Sequence, residues 1–153
     1  MLAVIRVRGL KDVRHDITAA LIDMRLDRKN HCVLVPENEA LKGMLIKTKD
    51  YVAYGKISPE TLSLLILKRG RTPGDGRVTT ETLQKGTHKN AKDLAAAVIA
   101  GKATLLEAGI KPVFRLNSPK GGFPRAGIKK SVTKKGPLGF HPEGLDALIK
   151  DMM

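Results

Sequence analysis

The order of apolar patterns in residues 1–57 constrains the fold more than any other feature of the chain. Residues 2–8, 31–36 and 51–57 are short apolar or alternating runs, which predict three strands. Between these runs, apolar residues recur at helical spacing. They are Val13, Ile17, Ala20, Leu21 and Met24 in the first interval and Leu41, Met44 and Leu45 in the second. The order predicts a compact β-α-β-α-β module over residues 1–57.

A second zone, residues 58–153, is predicted to be mainly helical. Residues 58–60, Ser-Pro-Glu, combine a capping hydroxyl, a proline suited to the first turn and an acid that favours the positive end of the helix dipole. We expect this helix to end at Gly70. Asn90 predicts the start of another helix, which stops at Gly101.

The last part of the chain predicts one short strand and one helix. Residues 112–116 form an apolar run bounded by loop residues, which favours a strand. The final apolar residues have the spacing of one helix face and are Leu145, Leu148, Ile149 and Met152. We expect this amphipathic helix to pack on the first module.

The charge balance predicts a polyanionic partner. Lysine and arginine total 28 against 15 acidic residues, which gives a net charge of +13 over 153 residues. Such a charge repels itself in the compact state, and it is commonest where nucleic acid supplies the counter-charge. A solubilising basic surface is the alternative interpretation. No apolar run is long enough to span a membrane, and the first arginines come too early for a signal peptide. The single cysteine, Cys32, cannot form an internal disulfide, which favours a reducing cytoplasm.

Two glycine-containing segments hold much of this charge. Residues 114–140, FRLNSPKGGFPRAGIKKSVTKKGPLGF, contain no acid. Glycine allows a close backbone approach, and lysine and arginine neutralise phosphates, so this segment is predicted to bind nucleic acid and to be disordered without it. A second basic loop, residues 68–77, holds one acid, Asp75. Basic residues around the first strand form a third candidate region, for which ordinary surface charge is an equal alternative.

The scarcity of aromatic residues favours a folded RNA as the nucleic acid. Aromatic residues are 3% of the chain and tryptophan is absent, so base stacking has few candidates. Binding should therefore depend on phosphates, sugars and shape. Phe123 and Phe140 could stack on bases or simply pack against the protein.

No pattern in the sequence indicates an enzyme. The four histidines lack metal-ligand spacing, and the glycines match neither a phosphate-binding loop nor a dinucleotide fingerprint. Most acids, such as Glu37, Glu60, Asp93 and Glu143, are at predicted helix starts, where capping and the helix dipole explain them. We therefore expect no catalytic residues, no cofactor and no metal.

Several of these motifs resemble the universal large-subunit ribosomal protein family called L-thirty in bacteria. The first part of the pattern is the apolar helix with Arg28 and the strand at His31, followed by the Gly-Met-aliphatic helix at residues 43–45. The chain continues past residue 57, as archaeal members and their eukaryotic relatives called L-seven do. The matching motifs there are residues 67–70, 90–101, 111–116 and the Pro-basic-Gly-Gly loop at residues 118–123.

The resemblance implies an archaeal-type structural component of the large ribosomal subunit. It implies an α+β, ferredoxin-like fold with a three-stranded sheet, an appended helical segment (residues 58–153) and long basic loops. The implied partners are large-subunit rRNA, 5S rRNA nearby and neighbouring ribosomal proteins. A free-standing RNA chaperone or non-specific nucleic-acid binder is the alternative. The predicted RNA-binding residues are Lys111, Arg115, Asn117, Ser118, Lys120, Gly121, Gly122, Phe123, Arg125, Lys129, Lys130, Lys134, Lys135, Lys68, Arg69, Arg71, Arg77, Arg6, Arg8, Lys11 and Arg14.

Overall fold

The fold is an α+β arrangement in which helices cover both faces of one sheet. The computed structural model describes residues 1–79, 90–123 and 127–153. Within these residues the strands are β1 (Leu2–Arg6), β2 (His31–Val35), β3 (Val52–Lys56), β4 (Val113–Arg115) and β5 (Gly139–His141). The helices are α1 (His15–Asp23), α2 (Glu39–Thr48), α3 (Pro59–Arg69), α4 (Ala91–Ile99) and α5 (Asp146–Met152).

Over the described residues, the sheet has five strands in the order β4-β2-β1-β3-β5. Strand β1 is antiparallel to both β2 and β3, with Val4 opposite Val33 on one side and Tyr54 on the other. Strand β4 extends the sheet beyond β2 in antiparallel orientation, and β5 runs parallel to β3. The α+β class is therefore confirmed, and the sheet is larger than the predicted three strands because β4 and β5 join its two edges.

Two hydrophobic cores lie on opposite faces of this sheet. Leu2 and Val4 belong to the first core, which lies beneath α1 and α2. Ala3 and Ile5 belong to the second core, which lies beneath α3, α4 and α5. The division follows the alternation of side chains along a strand. Strand β1 is consequently buried over its whole length, since neither face of the central strand meets solvent.

The second core depends on the elements that follow residue 57. Ser58 caps α3 by accepting a hydrogen bond of 3.3 Å from the Thr61 backbone amide, and α3 ends at Gly70 as predicted. The C-terminal helix α5 buries Ile149 and Met152 in this core. Gly55 of β3 lets the β5 backbone approach closely, because a Cβ there would lie 2.9 Å from the His141 carbonyl oxygen.

No helix in the described ranges combines the length and apolar character that crossing a membrane requires.

Candidate nucleic-acid interface

A cleft brings together residues from both predicted basic loops. The cleft has a volume of about 250 Å³ and lies between residues 71–75 and the start of β4. Lys111 Nζ donates to Asp75 Oδ1, and Arg115 Nη1 lies 3.7 Å from Asp75 Oδ2. Arg71 Nη1 donates to the Asp75 backbone oxygen at 3.0 Å. The three cations therefore converge on one aspartate.

Backbone hydrogen bonds hold this cleft in shape. Residues 70–78 form a hairpin in which the backbones of Arg71 and Arg77 form an antiparallel β-bridge. The Thr72 amide donates to the Gly76 carbonyl oxygen at 2.9 Å. The Lys111 amide donates to the Arg71 carbonyl oxygen at 2.7 Å, which fastens the segment before β4 to the hairpin. The fold therefore places cations that are 40 residues apart in sequence on one surface.

The cations of the cleft shift the pKa values of two neighbouring groups. The hydrogen bond from Lys111, with its charge and that of Arg115, lowers the pKa of Asp75. Burial first, and then the charge of Arg115, lowers the pKa of His31, which also lines the cleft. Asp75 is thus held as a carboxylate, and His31 is neutral near pH 7.

The predicted Pro-basic-Gly-Gly loop is a turn anchored on α5. The Asn117 amide donates to the Met152 carbonyl oxygen at 3.0 Å, and the Lys120 amide to that of Asp151 at 2.9 Å. Gly121 and Gly122 have φ angles of 77° and 80°, a conformation that side chains disfavour, and a Cβ on either would meet open space. The two exposed glycines therefore leave the backbone open to close approach.

The side chains of this loop differ in exposure. Asn117, Ser118 and Lys120 are exposed, whereas Phe123 is half-buried and packs against the core below α3, α4 and α5. Phe140, by contrast, is 49% exposed with its ring centroid 5.7 Å from that of Tyr54. Phe123 therefore packs against the protein.

Four lysines lie on a compact turn before β5. A short 3₁₀ helix, Val132–Lys134, begins at Ser131, and the Val132 amide donates to the Leu138 carbonyl oxygen at 2.8 Å. Leu138 is buried and anchors the turn to the core. Lys129, Lys130, Lys134 and Lys135 are all exposed. Backbone hydrogen bonds and the buried Leu138 thus hold this turn in a defined structure. The expected disorder of residues 114–140 without nucleic acid stays a prediction.

Among the described residues, most cations of the two long loops form no ion pair. Within the described ranges, none of the predicted lysines except Lys111 forms an ion pair with another described residue. Lys68 and Arg77 are exposed, whereas Arg69 is half-buried and donates to the Met153 backbone oxygen at 2.6 Å. Arg125 lies outside the described residues.

Arg6 is a correction to the predicted set. Its side chain is 1% exposed, on the face of β1 that packs below α1 and α2. The guanidinium donates to the backbone oxygens of Leu26, Asp27, Gly9 and Arg8 at 2.7, 3.3, 2.9 and 3.0 Å. Burial lowers its pKa, although the charge of Asp27 opposes that shift. Arg6 therefore stabilises the fold and has no free donor surface for a phosphate.

The other cations of the first-strand region are partly engaged within the protein. The Arg8 guanidinium lies 4.5 Å from the Tyr51 ring centroid and donates to the Asp50 carbonyl oxygen at 3.1 Å. Arg14 forms an exposed ion pair of 3.0 Å with Asp16. Lys11 is exposed. This region is the weakest candidate of the three.

Sequence reasoning missed four ionisable residues of the cleft, Arg25, Asp27, His31 and Asp75. Arg25, in a left-handed turn after α1, and His31 line it together with Asp75. Asp75 carries a usable signal, since it is the one acid within residues 68–77. His31 carries none, because its position beside Arg115 follows from the pairing of β2 with β4.

Comparison of the whole sequence with known proteins finds relatives in one family. The family model described as Ribosomal protein L30p/L7e matches residues 2–52. Three proteins named large ribosomal subunit protein uL30 are similar over nearly their full length. That of Methanococcus maripaludis is 46% identical over 151 residues, covering 99% of this chain and 98% of the relative. That of Methanothrix thermoacetophila is 45% identical over 153 residues, covering 99% of both. That of Methanosphaera stadtmanae is 38% identical over 154 residues, covering 100% of both.

Proposed function

Because the chain belongs to the ribosomal protein L30p/L7e family, we propose that it is a structural constituent of the large ribosomal subunit that binds large-subunit rRNA. The observation that carries this proposal is 46% identity, across 99% of the chain, to a protein named as part of that subunit. As a member of this family it is a ribosomal protein rather than an enzyme. Its place in the large subunit also makes it a cytoplasmic protein.

The exposed cations of the two long loops support rRNA as the direct ligand. They surround glycine turns whose backbone is accessible, and the chain as a whole has a net charge of +13. A densely packed RNA supplies the phosphates that such a surface needs, and binding through phosphates requires few aromatic side chains. The interface that we propose consists of Lys68, Arg71, Arg77, Lys111, Arg115, Asn117, Ser118, Lys120, Gly121, Gly122, Arg125, Lys129, Lys130, Lys134 and Lys135.

We also propose 5S rRNA as a neighbour and other ribosomal proteins as partners. The resemblance of the sequence motifs to the family supports the 5S neighbour. Partner proteins would cover the exposed apolar side chains of α1 and α2. Ile22 of α1 is 56% exposed and Ile46 of α2 is 64% exposed. These two helices carry none of the proposed RNA contacts.

Sedimentation of native cell extract tests the proposed function. The protein, followed by mass spectrometry through a sucrose gradient in moderate salt, is expected at one copy per large subunit. Release should require conditions that unfold the rRNA. Recovery at the top of the gradient, or spread over all RNA and DNA, would instead indicate the free-standing nucleic-acid binder. Moderate salt distinguishes the two outcomes, because the affinity of non-specific binding falls steeply with salt. For six to ten phosphate contacts it falls by about 10³–10⁵ between 50 and 200 mM.

A further inference from the structure

The cleft beside Asp75 has more cations than its own acids neutralise. Among the described residues, four basic side chains and His31 line it together with two acids. The cations are Arg25, Arg71, Lys111 and Arg115, and the acids are Asp27 and Asp75. With His31 neutral, the cleft retains a net positive charge.

The Asp75 carboxylate binds where the positive charges of the cleft converge. One of its oxygens accepts from Lys111 Nζ, and the other lies 3.7 Å from Arg115 Nη1. A phosphate has the same sign of charge and more acceptor oxygens, so the same donors fit it equally well. The side chains of Lys111, Asp75 and Arg115 are 38%, 53% and 67% exposed, which leaves the cleft open to a ligand.

The shape of the cleft does not depend on this carboxylate. Arg71 donates to the backbone oxygen of Asp75 rather than to its side chain. Main-chain hydrogen bonds between Thr72 and Gly76, and between Lys111 and Arg71, are likewise independent of the Asp75 side chain. Exchange of the carboxylate for another anion would therefore leave the backbone frame in place.

We propose that this cleft binds one RNA backbone phosphate and that the Asp75 carboxylate occupies it in the free protein. The inference rests on the proposed function and names one contact of the rRNA. When the phosphate binds, Lys111 and Arg115 exchange the carboxylate for phosphate oxygens. Until then, Asp75 keeps the two cations from repelling each other and competes with stray anions.

His31 provides a reporter for the cleft. It lines the cleft, and its Nδ1 is buried without a hydrogen-bond partner among the described residues. Since Arg115 is among the groups that lower the pKa of His31, an anion that binds Arg115 should change the ring resonances. The resonances of His31 can be assigned by their loss in H31N.

Titration of the full chain with inorganic phosphate, followed by NMR, tests the cleft itself. Phosphate should shift the His31 ring resonances more than chloride does at equal ionic strength. D75N is expected to bind phosphate about 1.5- to fivefold more tightly, as for loss of an exposed ion-pair competitor. K111Q should bind more weakly, and K92Q, an exposed lysine of α4 outside the cleft, should match the unaltered protein. No shift of His31, or weaker binding by D75N with an unchanged hairpin, overturns the proposal.

Binding to purified large-subunit rRNA decides whether the phosphate belongs to RNA. R115Q keeps aspartate at position 75 and the backbone hydrogen bonds of the hairpin, so this test uses a different substitution from D75N. It is expected to weaken binding and to reduce the slope of log affinity against log salt by about 0.7–0.9, the value for one phosphate. An unchanged slope, with K92Q as the control, overturns the inference while the proposed function stands. Failure of the unaltered protein to bind rRNA overturns the proposed function instead.

Discussion

The Arg6 guanidinium donates a hydrogen bond of 2.7 Å to the carbonyl oxygen of Leu26. This bond joins the end of β1 to the turn that follows α1, and Leu26 itself is buried in the first core. Buried backbone oxygens need partners, and one planar guanidinium supplies several of them in a fixed geometry. An arginine in a strongly basic chain thus has an internal structural role.

Replacement of Arg6 should therefore destabilise the fold. We expect R6K to lower the free energy of unfolding by about 2–4 kcal/mol, because an ammonium cannot reach all four acceptors and leaves buried carbonyl oxygens unpaired. Urea denaturation measures the change. The matched control is R14K, whose side chain is 80% exposed and which should change stability by less than about 0.5 kcal/mol. Equal stability of R6K and the unaltered protein would contradict this role.

The lysine turn before β5 should depend on the glycine at position 136. A Cβ there would lie 2.1 Å from the Lys130 carbonyl oxygen, so G136A must displace the backbone that presents the four lysines. We expect a loss of about 1–3 kcal/mol in unfolding free energy. We also expect weaker rRNA binding, measured at fixed salt.

A second glycine provides the control for this prediction. Gly43 is inside α2, and a Cβ there meets nothing within 4 Å. G43A should therefore stabilise the protein by about 0.5–1 kcal/mol, the usual difference between glycine and alanine in a helix. If both substitutions had the same effect, the close contact at Lys130 would not be the cause.

Cys32 should be unreactive in the folded protein. Its side chain is fully buried in the second core, and burial raises the pKa of the thiol to about 12. Since the thiolate is the reacting species, labelling at pH 8 requires opening of the structure. We expect native protein to react at least about a thousandfold more slowly than protein in urea. Labelling at the rate of a free thiol would show that β2 is exposed.

The half-buried position of His31 predicts a loss of stability in mild acid. Its pKa is lowered in the fold, so its contribution is present above the ordinary value near 6.5 and is lost as the pH falls below it. Between pH 8 and pH 5.5 the unaltered protein should therefore lose more stability than H31N does. One proton limits the difference to about 1.4 kcal/mol per pH unit. Parallel curves for the two proteins would exclude this contribution.

The sequence was most informative where local chemistry decides the structure. The β-α-β-α-β order, the Ser58 cap and the helix end at Gly70 follow from side-chain spacing and capping, which act over a few residues. Strand β5 was not predicted, because residues 139–141 have no strand pattern of their own. They become a strand only because Gly55 lets them pair with β3.

Charge composition predicted that the protein has a basic surface better than it predicted which residues belong to that surface. Lys120 and Lys134 are exposed as expected, since a lysine in a glycine-rich loop has little apolar surface to cover it. Arg6 was wrongly included because the burial of both faces of β1 depends on helices far away in sequence. The convergence of Lys111 and Arg115 on Asp75 is likewise a tertiary contact that no local pattern contains.

Crosslinking within purified large subunits tests the central claim most directly. Ultraviolet irradiation followed by mass spectrometry identifies the peptides of this protein that carry nucleotide adducts. We predict adducts in residues 68–77 and 111–135, with 5S nucleotides among the neighbouring crosslinks. Peptides from the exposed faces of α1 and α2 should carry none. Adducts confined to those two helices, or absence of the protein from the large subunit, would contradict the account.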